Sequence, residues 1–209
     1  RFRMPRRLAL LAFAGLVAAC GTTADLDEPP VPLGDFRLAH SVVLARDPVI
    51  GPASRTASRE EWETALDAAI EERFRRYEGE RFYHFAVTVD GYVLALPGVP
   101  VVFSPNSALI VSVTVWDDAT GEKLNEEPFR VTVTEAPTGE SLLLGSGLSN
   151  SKDEQLRNLS VSAAKQLERE LVRRHREEGW FGGVGEEAAA ASEGAPEAPA
   201  TAPGGAAGG

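Results

Sequence analysis

The sequence predicts an α+β domain: a two-layer fold in which an antiparallel or mixed β-sheet of about five strands carries two amphipathic helices on one face. Three observations predict it. Two segments, opening at Ser58 and at Ser151, begin with a helix-start signature and continue with apolar residues at three- and four-residue steps. Five short runs alternate apolar with polar residues, one before the first helical segment and four bunched between the two. No internal repeat of solenoid length is visible.

Residues 36–45 (FRLAHSVVLA) place Phe36, Leu38, Val42 and Leu44 on one face at period two, with His40 beside them, which is a strand pattern. Asp47-Pro48 and Gly51-Pro52 mark the loop that follows. At 58–61, Ser-Arg-Glu-Glu matches a capping box, in which the serine and the glutamate satisfy orphan N–H groups. Trp62, Leu66, Ala69, Ile70, Phe74 and Tyr77 then line one helical stripe, and Gly79 is expected to close the helix.

Asp90-Gly91 separates two alternating runs within 82–96 and predicts a two-residue hairpin turn. That register pairs Val89 with Tyr92, Val87 with Leu94 and Phe85 with Leu96, all on one face; the competing reading is one long strand bent at Gly91. Residues 108–116 alternate Leu109, Val111, Val113 and Val115 as a strand, residues 117–121 form a turn, and 129–134 form its partner strand. Pro128 suits an edge strand or a bulge. Ser151-Lys152-Asp153-Glu154 is a second capping box, and Leu156, Leu159, Ala163, Leu167 and Leu171 carry a helix to about Arg176. Gly179 fits the position just past a helix end, with Trp180 and Phe181 folding back onto the last turn.

The domain therefore occupies 36–184. Residues 20–35, with three prolines and four acids, read as a flexible tether, and 185–209 as a disordered Ala/Gly/Pro/Glu tail. The formal net charge is −10. Setting aside residues 1–19, which hold four arginines and no acid, lowers the 21 basic residues to 17 against 31 acidic ones, a net −14. A domain this acidic is repelled by phosphate backbones, so nucleic acid is excluded as a partner, and charge gives it no attraction to an anionic lipid surface.

Membrane attachment must therefore come from elsewhere, and the N-terminus supplies it. Arg6 and Arg7 precede an unbroken run of twelve apolar or small residues, 8–19, which fits a signal-peptide core and is too short to span a bilayer. The run stops at Cys20, the single cysteine, which has no partner for an internal disulfide. Leu16-Val17-Ala18-Ala19-Cys20 resembles the lipobox of bacterial lipoproteins. That resemblance implies a signal peptide over 1–19, cleavage before Cys20, and diacylglyceryl attachment to its thiol with acylation (palmitate) of the new amine. Two or three acyl chains anchor stably where one does not. Gly21 stands where an inner-membrane retention signal would have Asp, which implies the outer membrane, facing the periplasm.

Candidate chemistry is sparse. His40, His84 and His175 have neither one another nor Cys20 at metal-ligand spacing, so no metal site is expected. His40 on an apolar face reads as a buried, hydrogen-bonded side chain, and His175 as a cation suited to a helix C-terminus. Gly145-Ser146-Gly147 fits neither a nucleophile elbow nor a phosphate loop. Asp117, Asp118 and Glu122 are ordinary turn composition. Trp180-Phe181 would be a docking anchor only if it did not pack on its own helix. With no catalytic constellation and no cofactor motif, an enzyme is not expected. The strand–helix–sheet–helix order and the turn WDDATGEKL (116–124) resemble accessory lipoproteins of secretion, transport and surface-assembly machines. That resemblance implies a non-enzymatic component that assembles with itself or with an envelope protein. The alternative is a periplasmic small-ligand binder using a cleft between helices and sheet.

Overall fold

Ser58 and Ser151 each start a helix in the computed structural model, which describes residues 24–96, 107–135 and 151–182. Helix α1 runs Arg59–Phe74 and helix α2 runs Lys152–Glu178. Both capping boxes are closed: Ser58 Oγ accepts from Glu61 N while Ser58 N donates to the Glu61 carboxylate, and Ser151 and Glu154 repeat the exchange. Gly179 ends α2 in the left-handed conformation, φ 73°, as its position predicts.

The strands are β1 Arg37–Leu44, β2 Val49–Ile50, β3 Phe82–Val93, β4 Ala108–Asp117 and β5 Phe129–Thr134. They form one mixed sheet in the order β1-β3-β4-β5, with β1 parallel to β3, the remaining neighbours antiparallel, and β2 pairing in parallel with the far end of β3. The α+β class, the mixed sheet and the number of strands agree with the sequence reading, but one strand arises differently. No hairpin forms at Asp90-Gly91. The chain continues straight through as β3, with a bulge between Val89 and Gly91.

The reason is visible at Gly91. A Cβ there would lie 2.9 Å from the carbonyl oxygen of Val49, so the missing side chain lets β2 approach. A bulge and a two-residue turn also leave the same trace in a binary pattern. Each shifts the alternation by one, and both bring Val89 and Tyr92 to the core face. A second bulge corrects β1. Leu38 pairs with Tyr83 and His40 with His84, leaving Ala39 extra, so the alternation flips. Val43 and Ala45 turn inward, whereas His40 and Val42 are exposed rather than core-facing.

Gly79 also works differently from its expected cap role. α1 ends at Arg75 in ordinary helical geometry, and Gly79 instead lies against the start of β1, where a Cβ would meet Phe36 N at 2.4 Å. Phe36 is the centre of the core: its ring contacts Phe74, Tyr77, Tyr83, Phe85 and Phe181 at centroid separations of 4.9–6.1 Å. Each such buried ring contributes roughly 1.5–3 kcal/mol of apolar transfer. Both helices cover one face of the sheet, and the other face, carrying Val42, Ala86 and Thr88, has no layer over it among the described residues.

The stretch expected to be a free tether is docked from Asp25 onward. A 3-10 turn, Ala24–Asp27, lies across the helix pair; Asp25 pairs with Arg73 of α1 at 3.0 Å and with Lys165 of α2 at 3.2 Å. Arg76 donates to the carbonyls of Leu26 and Glu28, and Leu33 is fully buried.

Candidate functional site

The bulge at Ala39 assembles a surface constellation of titratable side chains that lie far apart in the sequence. It puts His40 beside His84 across the β1–β3 ladder, with ring centroids 5.5 Å apart and planes inclined by 18°. His84 Nε2 then reaches Asp118 Oδ1 at 2.7 Å, in the turn that follows β4. A carboxylate oxygen accepts in this pair and the ring Nε2–H donates.

Around the two imidazoles lies an open groove of about 550 Å³, with Arg37, Arg75, Glu78 and Phe82 on its walls. The arginines are held by local backbone: Arg37 donates to the Glu78 carbonyl at 3.2 Å and Arg75 to the Leu38 carbonyl at 3.1 Å. Arg37 also lies 5.6 Å above the Phe82 ring. Hydrogen bonding and attraction from Glu71 outweigh partial desolvation and hold the Arg75 guanidinium above its ordinary pKa, so it stays charged. The groove can exchange a proton or offer an imidazole nitrogen to a ligand. Among the described residues, no group of three His, Cys, Asp or Glu side chains converges as a metal site, and no helix is long and apolar enough to cross a membrane.

Asp117 and Asp118 sit in the turn the sequence predicts. Asp117 Oδ1 accepts from Ala119 N at 2.8 Å, its other oxygen pairs with Arg81 at 2.7 Å, and Gly121 takes φ 68°. His175 is a core residue rather than an exposed cation: its Nδ1 donates to the Trp180 carbonyl at 2.5 Å, and it is buried beneath Gly34. Trp180 and Phe181 are themselves buried, with Phe181 against Phe36 and Tyr83, so this pair is part of the core. Lys152 forms an ion pair with Glu61, joining the first turns of the two helices. Cys20 and Gly145–Gly147 lie outside the described residues.

The cleft between helices and sheet, where a small ligand was the alternative expectation, is filled by Phe74, Phe85, Val113, Leu159 and Leu167, all buried. Among the described residues, every large apolar side chain left exposed except Val31 stands on the sheet face or at its β1–β2 edge. Val42 is 53% exposed, Phe82 44%, Val49 72% and Ile50 47%.

A buried polar network joins the helices. Arg73 Nη1 donates to Glu168 Oε2 at 2.7 Å, and Tyr77 Oη donates to Glu168 Oε1 at 2.8 Å. Burial alone would lower the Arg73 pKa, but Asp25 and Glu168 reverse the effect and keep the guanidinium charged. Burial and the neighbouring Glu168 push the Tyr77 phenol upward, so it remains a donor. Arg73 holds the Asp25 carboxyl down at about 2, against an opposing desolvation effect. Sequence reasoning missed this network because its members are 48 to 95 residues apart. An arginine on the apolar stripe of α1, at position 73, is the trace it leaves in the sequence.

No family model matches the chain, and no curated protein matches it. Several solved structures resemble it at low identity. PelC from Paraburkholderia phytofirmans, solved as a dodecamer, is 14% identical over 67% of this chain and 91% of its own, with a TM-score of 0.36. A Xanthomonas campestris protein of the DUF330 family is 9% identical over 69% and 94%, with a TM-score of 0.35. A minor lipoprotein from Acinetobacter baumannii is 14% identical over 66% and 96%, with a TM-score of 0.27.

Proposed function

We propose that the chain is an envelope lipoprotein, anchored through Cys20 to the outer membrane and facing the periplasm. Its domain works without catalysis, as a binding or assembly component of an envelope complex. The observation that carries the anchor is the lipobox Leu16–Cys20, which ends a twelve-residue apolar run at the chain's single cysteine. The uncovered sheet face supports the assembly role. It presents Val42 and Phe82 to solvent beside a β1–β2 edge whose own side chains, Val49 and Ile50, are apolar, and exposed apolar surface at a sheet edge is where protein partners add. The partner is an envelope protein or a second copy of the chain.

Mass spectrometry of membrane-bound protein, wild type beside Cys20→Ala, tests the anchor. A mature N-terminus at Cys20 carrying acyl mass, lost together with membrane retention in the variant, is the expected result. An unmodified Cys20 with release of the protein would overturn the reading.

A second reading, a small-ligand binder, is favoured by the groove around His40 and His84. It predicts that a polar or anionic small molecule protects the two imidazoles. NMR titration of the histidine ring protons against a panel of periplasmic metabolites decides it, because unmoved resonances leave assembly alone.

A further inference from the structure

The uncovered sheet face and the docked N-terminal turn lie on opposite sides of the domain. Among the described residues the sheet takes both helices on one face and nothing on the other, while Asp25 and the carbonyls beside it bond Arg73 of α1, Arg76 just past its end and Lys165 of α2. Only four residues separate Cys20 from Asp25, and even fully extended the five steps between them reach about 18 Å. A domain of this size is on the order of 35–40 Å across. A leash that short, leaving from the helix side, cannot reach round the molecule to bring the sheet side down.

We propose that the outer surface of the α1–α2 pair, crossed by residues 24–28, is the face turned toward the phospholipid bilayer, so that the uncovered sheet face points away from it. This rests on the Cys20 anchor. Orientation follows from the leash and its fastening, not from charge, since the domain is acidic and Arg76 and Lys165 are already engaged by the turn. Arg73 fixes the fastening. Its guanidinium is 2% exposed, and loosening Asp25 would leave a buried cation with one carboxylate where it now has two. A partner then meets the sheet without competing with the membrane.

The test uses the full lipidated chain in phospholipid vesicles, with a fluorophore on a cysteine introduced at Glu72 (helix side) or at Thr88 (sheet side), both exposed. Nitroxide lipids in the vesicles report proximity. The Glu72→Cys label is expected to be quenched several-fold more than the Thr88→Cys label, and Asp25→Asn in the same background to narrow the difference. Equal quenching, or stronger quenching at Thr88, on protein that carries acyl mass and floats with the vesicles, overturns the orientation and leaves the anchor standing. Protein that neither carries acyl mass nor floats overturns both.

Discussion

Arg73 Nη1 and Glu168 Oε2 meet at 2.7 Å in the interface between α1 and α2, both side chains almost wholly buried. Two ions taken out of water cost several kcal/mol each, and only close pairing with further hydrogen bonds repays it. Here the repayment comes from Asp25 on one side and Tyr77 on the other. Arg73→Met is expected to destabilise by about 3–5 kcal/mol, because Glu168 stays buried without its cation. The triple change Arg73→Met, Glu168→Leu, Tyr77→Phe removes charges and hydroxyl together and should recover most of that loss. Urea unfolding of the two proteins decides it, and a triple variant no more stable than the single one refutes the account.

Asn125 does for the end of β4 what a longer β5 would otherwise do. The β4–β5 ladder stops at Val113 and Phe129, and Asn125 takes over: Oδ1 accepts from Val115 N at 2.9 Å, while Nδ2 donates to the carbonyls of Val113 and Glu127 at 3.1 and 2.8 Å. Asn125→Ala strands three backbone groups, which predicts a loss of roughly 2–4 kcal/mol. Amide exchange at Val115 should accelerate well ahead of its neighbours. If it stays as protected as Val113, the side chain is not holding the strand.

Ser160 runs the other way. Its hydroxyl is fully buried and has no hydrogen-bond partner among the described residues. Removing an unsatisfied group relieves its desolvation penalty, so Ser160→Ala should raise stability by about 1 kcal/mol. Thermal unfolding that moves down rather than up would show that the oxygen has a partner.

Legibility followed the range of the interaction. Both helix starts could be read because a capping box is complete within four residues, and the strands of β4 and β5 because their alternation is unbroken. What could not be read depends on a second segment. Asp90-Gly91 carries hairpin chemistry, and only the approach of Val49 tells a bulge from a turn. The bulge at Ala39 has no turn residue to announce it, so the alternation alone puts His40 on the wrong face and hides its pairing with His84. Gly79 makes the same point and is testable. Its Cβ would strike backbone, not a movable side chain, so Gly79→Ala should cost about 1–3 kcal/mol. A neutral Gly79→Ala in chemical unfolding would mean that the β1 start yields.

Acid should unfasten the N-terminal turn before it unfolds the domain. Asp25 titrates at about 2 in the folded protein against 3.8 for an unperturbed aspartate, chiefly because Arg73 hydrogen-bonds its ionised form. A depressed carboxyl stabilises the state in which it is paired at all pH values above its free pKa. That stabilisation declines as pH falls from about 4 toward about 2 and is gone below. Allowing for the partial exposure of Asp25, it amounts to roughly 1–2 kcal/mol. The turn is tied to the domain chiefly by this carboxylate and by Arg76, whose bonds to backbone carbonyls do not titrate, so protonation removes the charged half of the fastening. Hydrogen exchange between pH 5 and pH 2.5, corrected for intrinsic rates, should show protection falling at residues 25–28 while β3 and β4 stay protected. Asp25→Asn should show that low protection already at pH 5, with no further step on acidification. If the variant keeps the wild-type acid step, another carboxyl opens the turn and the Asp25–Arg73 pair is not its latch.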